Sequence, residues 1–371
     1  MNILGISGCV GWIPEDAWLH SAGASLFIND RHICTISEER LSRVKHDGRY
    51  PELSIKYVLE EGNIDPEAID IVVYAENVHS PLRRDKIESI LKREFENADI
   101  EFVDHHVAHA SAVFWTSGFE TASILTYDGA GNSITTRHKQ LVLSETGFFG
   151  KGTQKGVVAL NHFVNGVYCK EEFNMGGVYN HISREIYSMI EPDKAKAIEN
   201  PFIFMETAPG KIMGLAAYGE KSVDLPDLFE VNEDSYFPTV HTNYIPTPKQ
   251  LGKYEPEDLA AWLQDSFENT LVEYFFNLKY WDLLENNLCL AGGCALNVLA
   301  NAVLMDIKMF DDIFVFPASN DSGLPFGAAI HIVMDEIIND IENDRSLILP
   351  DNLASLGKEY SNEEIIEAIK G

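Results

Sequence analysis

The stretch ASILTYDGAGN (122–132) sets a short run of apolar and β-branched residues against a tight Asp128-Gly129-Ala130-Gly131 turn. The chain opens in a similar way, with a strand over NILGIS (2–7). Between these two openings, ASLFI (24–28) and HICTI (32–36) predict strands joined by the turn pair Asn29-Asp30. A helix follows from Pro51, with Leu53, Ile55, Val58 and Leu59 at helical spacing before Gly62. IDIVVYA (69–75) reads as a strand, 83–94 as a helix, IEFVD (100–104) as a strand and 105–116 as a helix rich in small residues. Beyond the second opening, strands continue to about Leu143. LCLA (288–291) then enters Gly292-Gly293 and a helix over 294–305, and DIFVF (312–316) enters a turn and a long helix from about Ser322. Strand–turn–strand openings followed by alternating strands and helices, twice over, predict a duplicated α/β unit with a ligand cleft between lobes.

The stretch from 145 to 285 is less patterned. It holds FNMGGVYNHI (173–182), an acidic loop segment (223–235) and an amphipathic helix (256–277), and the tail from 341 is acidic and ends in the helix-like SNEEIIEAIK. With 28 Lys and Arg against 58 Asp and Glu in 371 residues, the formal charge is −30, which opposes nucleic-acid binding through a general basic surface. The composition, 45% hydrophobic and 23% charged, is that of a folded protein, and the length predicts two lobes. Apolar runs are strand-length, short of the roughly 18 residues of a membrane span, and the N-terminus lacks the basic region of a signal peptide. Five cysteines (Cys9, Cys34, Cys169, Cys289, Cys294) without a CxxC pair suit a reducing cytoplasm.

Within DHHVAHA (104–110), His105 and His109 are four apart and share one helix face, a spacing that suits two ligands on one metal ion. The same residues also fit a plain helix start in which Asp104 caps. Asp128 at its Gly-rich turn and Asp321 in SNDSG (319–323) could complete a two-His, two-carboxylate set for iron(II), manganese or zinc. The two Gly-rich turns after strands, 128–131 and 292–297, allow backbone N–H groups to approach phosphate. Arg40, Arg43, Lys45 and Arg49 form a basic island suited to an anionic ligand on an otherwise acidic chain.

Seven motifs follow one another in an order that resembles the O-carbamoyltransferases of nodulation factors and antibiotics: HSAGA (20–24), EERLSRVKHDGRYP (38–51), DHHVAHASAVF (104–114), LTYDGAGN (125–132), GKIMGLAAYG (210–219), LAGGCALNVLAN (290–301) and PASNDSGLPFGAA (317–329). The resemblance covers essentially the whole chain and is to that family's N-terminal domain. It implies duplicated ribonuclease-H-like lobes of the actin-like (ASKHA), sugar-kinase and threonylcarbamoyl-transferase type, with an interlobe cleft. Residues 1–120 would form the first lobe, 121–340 the second with a long middle insertion, and 341–371 an acidic tail or linker, without the C-terminal domain that makes carbamoyladenylate. The family's metal ligands fall on His105, His109, Asp128 and Asp321, and its general base falls on His20. Arg43 and Lys45 match the basic motif at the reactive end, and Gly129, Gly131, Lys211, Gly214, Gly292, Gly293 and Asn297 match glycine-rich and nucleotide-binding segments. Three features depart from the pattern. His20 is followed by Ser21 instead of Asp and preceded by WIPEDAWL (12–19), Asn132 stands where an acidic residue is usual, and the activating domain is expected to be absent from these 371 residues.

The implied reaction is transfer of a carbamoyl group from carbamoyladenylate, made from carbamoyl phosphate and ATP, to an acceptor hydroxyl. Iron(II), or manganese or zinc, would be the resident metal, with magnesium accompanying ATP. The acceptor would be a sugar or antibiotic-type molecule or a hydroxymethylpyrimidine, free or in DNA, the last disfavoured by the net charge. A separate carbamoyladenylate-forming partner and a second copy of the chain are the expected protein partners, and no membrane is. The competing readings are a metal-dependent kinase or ATPase of the same superfold and a non-catalytic nucleotide-binding subunit. The His105/His109 pair counts against the kinase, whose magnesium prefers carboxylates and water.

Overall fold

The computed structural model describes residues 1–10, 21–76, 81–129, 133–135, 142–165, 175–193, 201–220, 223–232, 238–340, 342, 344–356 and 360–370. Among these, β1 (Asn2–Ser7), β2 (Gly23–Ile28), β3 (Arg31–Ser37), β4 (Ile71–Tyr74) and β5 (Asp99–Phe102) form one sheet in the order β3-β2-β1-β4-β5. The first three strands are antiparallel and β4 and β5 run parallel to β1. The predicted Asn29-Asp30 hairpin is present, with both residues at positive φ (49° and 65°) as a tight primed turn requires.

The second sheet repeats the pattern. β6 (Thr121–Tyr127), β8 (Val142–Thr153) and β9 (Gly156–Asn165) are successively antiparallel, and β12 (Asn287–Ala291) and β13 (Asp312–Val315) run parallel to β6. Each sheet thus has the ribonuclease-H order, and the fold is the duplicated one. The short β7 (Ser133–Thr135) pairs with β8 beyond the end of β6, so strand structure continues past the predicted limit near Leu143 to Asn165. A further two-stranded ribbon, β10 (Phe229–Asn232) and β11 (Thr239–Thr242), lies partly within the segment expected to be an acidic loop.

Strands buried on both faces explain the nearly continuous apolar runs. In the first sheet, Ile3, Phe27 and Val73 face the molecule's centre, while Leu4, Leu26 and Val72 face the helices Glu52–Gly62 and Pro81–Glu94. In the second, Ile124, Cys289 and Ala291 face the centre, while Leu125, Leu288 and Leu290 face an outer helical layer that includes Met175–Ile190 and Pro256–Tyr280. The centre is filled by two helices, His105–Ser117 and Leu324–Asn339. The first packs on the second sheet and the last packs on the first, so each lobe's final helix lies against the other lobe. Small residues make the approach close enough. A Cβ on Gly327 would sit 2.1 Å from the Ala108 carbonyl oxygen, and one on Gly5 would sit 2.0 Å from that of Pro325.

The tail is pinned over its first part. Arg345 donates to both carboxylate oxygens of Asp30 (2.6 and 2.9 Å), and backbone bonds from His32 N to Ile348 O and from Thr35 N to Leu356 O cover the outer edge of β3. No helix of the described residues is long and apolar enough to cross a membrane.

Because the atom facing Gly327 is backbone, no side chain can rotate away to admit a methyl group. Gly327→Ala is expected to destabilise the protein by about 3 kcal/mol, at the upper end of ordinary overpacking, as measured by urea denaturation.

Candidate metal and nucleotide centre

Asp104 caps the His105–Ser117 helix by accepting bonds from the backbone N–H groups of His106 (2.9 Å) and Val107 (3.1 Å). The capping and ligand readings of DHHVAHA therefore coexist, since the cap fixes the first turn from which His105 and His109 project. Both imidazoles are buried, at 7% and 2% exposure. Asp128 leaves the end of β6, and Asp321 opens the short turn Asp321–Gly323 that feeds the Leu324–Asn339 helix. The structure brings the four together, with one donor atom from each lying within 4.8 Å of the others.

His109 Nε2 lies 3.4 Å from Asp128 Oδ2 and 3.5 Å from Asp321 Oδ1, and His105 Nε2 lies 3.9 and 3.6 Å from the same atoms. Two ligands each about 2.1 Å from a shared ion stand roughly 3.0–3.5 Å apart, so three of these spacings sit near the separation an ion imposes. Two imidazole nitrogens with two carboxylate oxygens form a mixed donor set suited to a divalent transition metal, and the four residues fit such an ion. Burial depresses the His109 imidazole pKa, but the carboxylates of Asp128 and Asp321 overcome it and raise the value to about 9. Burial raises the Asp128 carboxyl in turn, and His105 and His109 more than reverse this, holding it well below the usual carboxylate range.

Backbone donors fix Asp128. Gly129 N donates to Oδ1 (2.7 Å) and Gly293 N to Oδ2 (3.0 Å). Gly292, at φ +89°, donates to the Ser319 carbonyl (2.9 Å), two residues before Asp321, so the 292–297 turn touches the backbone beside both carboxylates. A Cβ on Gly292 would lie 2.3 Å from the Tyr127 carbonyl oxygen, whereas one on Gly293 would lie 2.9 Å from Asp128 Oδ1. Gly293 thus holds the Asp128 carboxylate directly, and Gly292 ties the same turn to the backbone two residues before Asp321.

The other candidates lie further out. Arg43 and Lys45 are exposed, and Lys45 Nζ reaches Thr207 Oγ1 of the second lobe at 3.5 Å. Thr207 shares the Pro201–Leu215 helix with Lys211 and Gly214. Lys211 donates to the Tyr187 hydroxyl (3.0 Å) and lies over that ring, while Cβ atoms on Gly129, Gly210 and Gly214 would meet nothing within 4 Å. Asn297 is buried, capping the Val298–Asp306 helix and pairing reciprocally with the Gln264 amide. The helix expected over 294–305 therefore divides at this cap into a 3-10 turn, Gly293–Leu296, and an α-helix. His20 and Gly131 lie outside the described residues, as does Cys169. Among the described residues Cys9, Cys34, Cys289 and Cys294 form no disulfide, and burial raises the Cys294 thiol pKa well above its ordinary value.

Gln264, with Tyr179 and Glu268, is the functional-region feature that sequence reading missed. Its signal was a lone amide in the apolar stripe Ala260, Ala261, Trp262, Leu263 and Phe267.

Two tandem lobes of ribonuclease-H order, with donors converging where strand ends meet helix starts, define an actin-like (ASKHA) α/β protein. Residues 13–80 and 79–330 match the family described as carbamoyltransferase N-terminus, and the chain belongs to that family. It is 28% identical to nodulation protein NolNO of Sinorhizobium fredii over 374 residues, covering 89% of this chain and 49% of that one. It is 33% identical over 129 residues to the 3'-hydroxymethylcephem-O-carbamoyltransferase of Streptomyces clavuligerus, covering 33% and 24%. Among solved structures, HypF of T. kodakarensis aligns over 90% of this chain and 48% of that one, at 14% identity and a TM-score of 0.49. The chain spans 46–63% of the length of three curated relatives that it matches over most of its own length.

Two outcomes are expected. Gly293→Ala should push the Asp128 carboxylate aside and weaken cobalt(II) binding about tenfold or more with little change in melting temperature, whereas Gly292→Ala should lower the melting temperature itself, both read by metal titration and thermal denaturation. Because His109 is protonated below about pH 9 in the metal-free protein, metal must displace that proton. Apparent affinity should therefore rise with pH up to about 9 and then flatten, with proton release visible by calorimetry in buffers of differing ionisation enthalpy.

Proposed function

We propose that this chain performs the transfer step of an O-carbamoyltransferase, moving a carbamoyl group from carbamoyladenylate to an acceptor hydroxyl. The observation that carries the reading is the convergence of His105, His109, Asp128 and Asp321 in a chain of the carbamoyltransferase family. Those four residues would hold iron(II), with manganese or zinc as alternatives. When bound, the metal supplies Lewis-acid polarisation of the donor's oxygens.

The remaining roles fall to the chain's own groups. His20 takes the proton of the acceptor hydroxyl as its oxygen attacks the carbamoyl carbon, a contribution of roughly 10²–10⁴-fold for a well-placed base. The carbamoyl–phosphate bond breaks and AMP leaves with the bond's electron pair. Arg43 and Lys45 offset the charge that develops on oxygen, and the contact of Lys45 with the helix carrying Lys211 and Gly214 supports placing phosphate there. The open space over Gly129 and Gly214 supports close approach of a nucleotide to backbone. Acceptors of the reading are sugar or antibiotic hydroxyls and hydroxymethylpyrimidines, and the chain works in the cytoplasm with carbamoyladenylate supplied by a partner or another domain.

Metal-reconstituted chain is to be given synthetic carbamoyladenylate with sugar, hydroxymethylcephem and hydroxymethylpyrimidine acceptors. Carbamoylated product and stoichiometric AMP are expected, with a loss of about 10²-fold or more in His20→Ala and in His105→Ala. Gly214→Ala should keep the melting temperature and weaken nucleotide binding. Formation of ADP from ATP without carbamoyl transfer would replace this reading with that of a kinase or ATPase.

A further inference from the structure

We infer that Gln264, from the long Pro256–Tyr280 helix, is a positioning residue for both carboxylates of the metal centre, acting through Asn297 and the 292–297 turn. The inference rests on the metal reading of His105, His109, Asp128 and Asp321. Gln264 and Asn297 form a closed pair of amide hydrogen bonds, with Gln264 Nε2 donating to Asn297 Oδ1 and Asn297 Nδ2 to Gln264 Oε1, each at 3.0 Å. The pair is buried, at 4% and 8% exposure, and has further anchors. The Tyr179 hydroxyl donates to Gln264 Oε1 (2.8 Å), and Gln264 Nε2 also donates to Glu268 Oε1 (2.7 Å). A buried amide with both ends satisfied has one low-energy orientation, because any rotation leaves polar atoms unpaired.

From Asn297 the constraint runs through backbone. Asn297 N donates to Cys294 O and Ala295 N to Gly292 O (both 3.0 Å), which fixes the pitch of the turn. The turn's first two N–H groups are then spent outward, Gly293 N on Asp128 Oδ2 and Gly292 N on the Ser319 carbonyl beside Asp321. The relay reaches the carboxylate side of the centre through backbone N–H groups. A change at Gln264 therefore reaches the centre as a shift of two carboxylates, while the histidines stay fixed by their own helix.

The test uses cobalt(II) alone as the probe, on the purified chain. Gln264→Met keeps the side-chain volume and removes every bond of the amide pair. It is expected to weaken cobalt(II) binding about 10–100-fold and to alter the visible d–d spectrum, the range found when outer hydrogen bonds to metal ligands are removed. Tyr179→Phe, which leaves the Gln264–Asn297 pair closed, should give a smaller change in the same direction. Thr270→Val, which removes a partly buried bond to Ser266 O on the same helix, should leave affinity and spectrum as in the wild type whatever it does to melting temperature. If Gln264→Met lowers the melting temperature but binds cobalt(II) with wild-type affinity and spectrum, Gln264 is only a core residue and the inference fails. If the wild type binds cobalt(II) no better than His105→Ala does, the metal reading itself fails.

Discussion

The contact of Gly327 with the Ala108 carbonyl sets the geometry on which the site depends. Two helices occupy the layer between the sheets, and at this contact a Cβ in place of the glycine hydrogen would lie only 2.1 Å from the facing oxygen. His105 and His109 stand on the first turns of one helix, and Asp321 stands just ahead of the other. A metal centre tolerates errors of only about 0.2 Å in ligand distance. Side chains borne by the ends of loosely packed helices would drift by more than that. Backbone in direct contact, with Gly5 and Pro325 closing the other side, leaves little room for drift.

Within this frame the electrostatics are poised for a cation. Two carboxylates share a largely buried space with two imidazoles, and their hydrogen bonds raise His109 against the opposing effect of burial. Gly129 and Gly293 supply two more backbone donors to Asp128 alone. Protons on imidazole can offset part of the negative charge, but each occupies a lone pair that a metal would use. A divalent ion held there would neutralise the carboxylates and take up both lone pairs together.

The first lobe was nearly all legible in the sequence because its signals are local. Its central strands are apolar on both faces, its hairpin turns on Asn29-Asp30, and its first long helix stops at Gly62. The span from 145 onward was not, for a physical reason. β8 carries Gly147, Gly150 and Gly152, which depress strand propensity, and Gly152 stands where the Phe114 ring occupies the space of a side chain. The His105/His109 spacing and the Gly-rich turns pointed to the place where His105, His109, Asp128 and Asp321 converge, since paired donor residues and tight turns both restrict residue choice. That Gly293 would hold Asp128, and that Asn297 would turn inward to Gln264, depends on contacts between residues 33 to 165 positions apart, which no local pattern encodes.

Duplication also explains why a nearly symmetric frame holds an asymmetric centre. β1 and β6 are equivalent strands, β1 running directly into Gly8 and β6 into Asp128-Gly129. At the end of β1 the protein's own chain fills the space: Tyr74 donates to the Gly8 carbonyl, Cys9 N to Gly48 O, and a Cβ on Gly8 would meet Arg49 O at 2.6 Å. At the end of β6 the equivalent turn begins with Asp128, and a Cβ on Gly129 meets nothing. β4 and β12 differ in the same sense, one continuing into Ala75-Glu76 and the other into the Gly292-Gly293 pair, whose N–H groups reach the Ser319 carbonyl and the Asp128 carboxylate. Ligands of open α/β sheets gather at the carboxyl ends of parallel strands. The turn after β6 and the Gly292-Gly293 pair after β12 meet at such an end, where Gly129 N and Gly293 N both donate to Asp128.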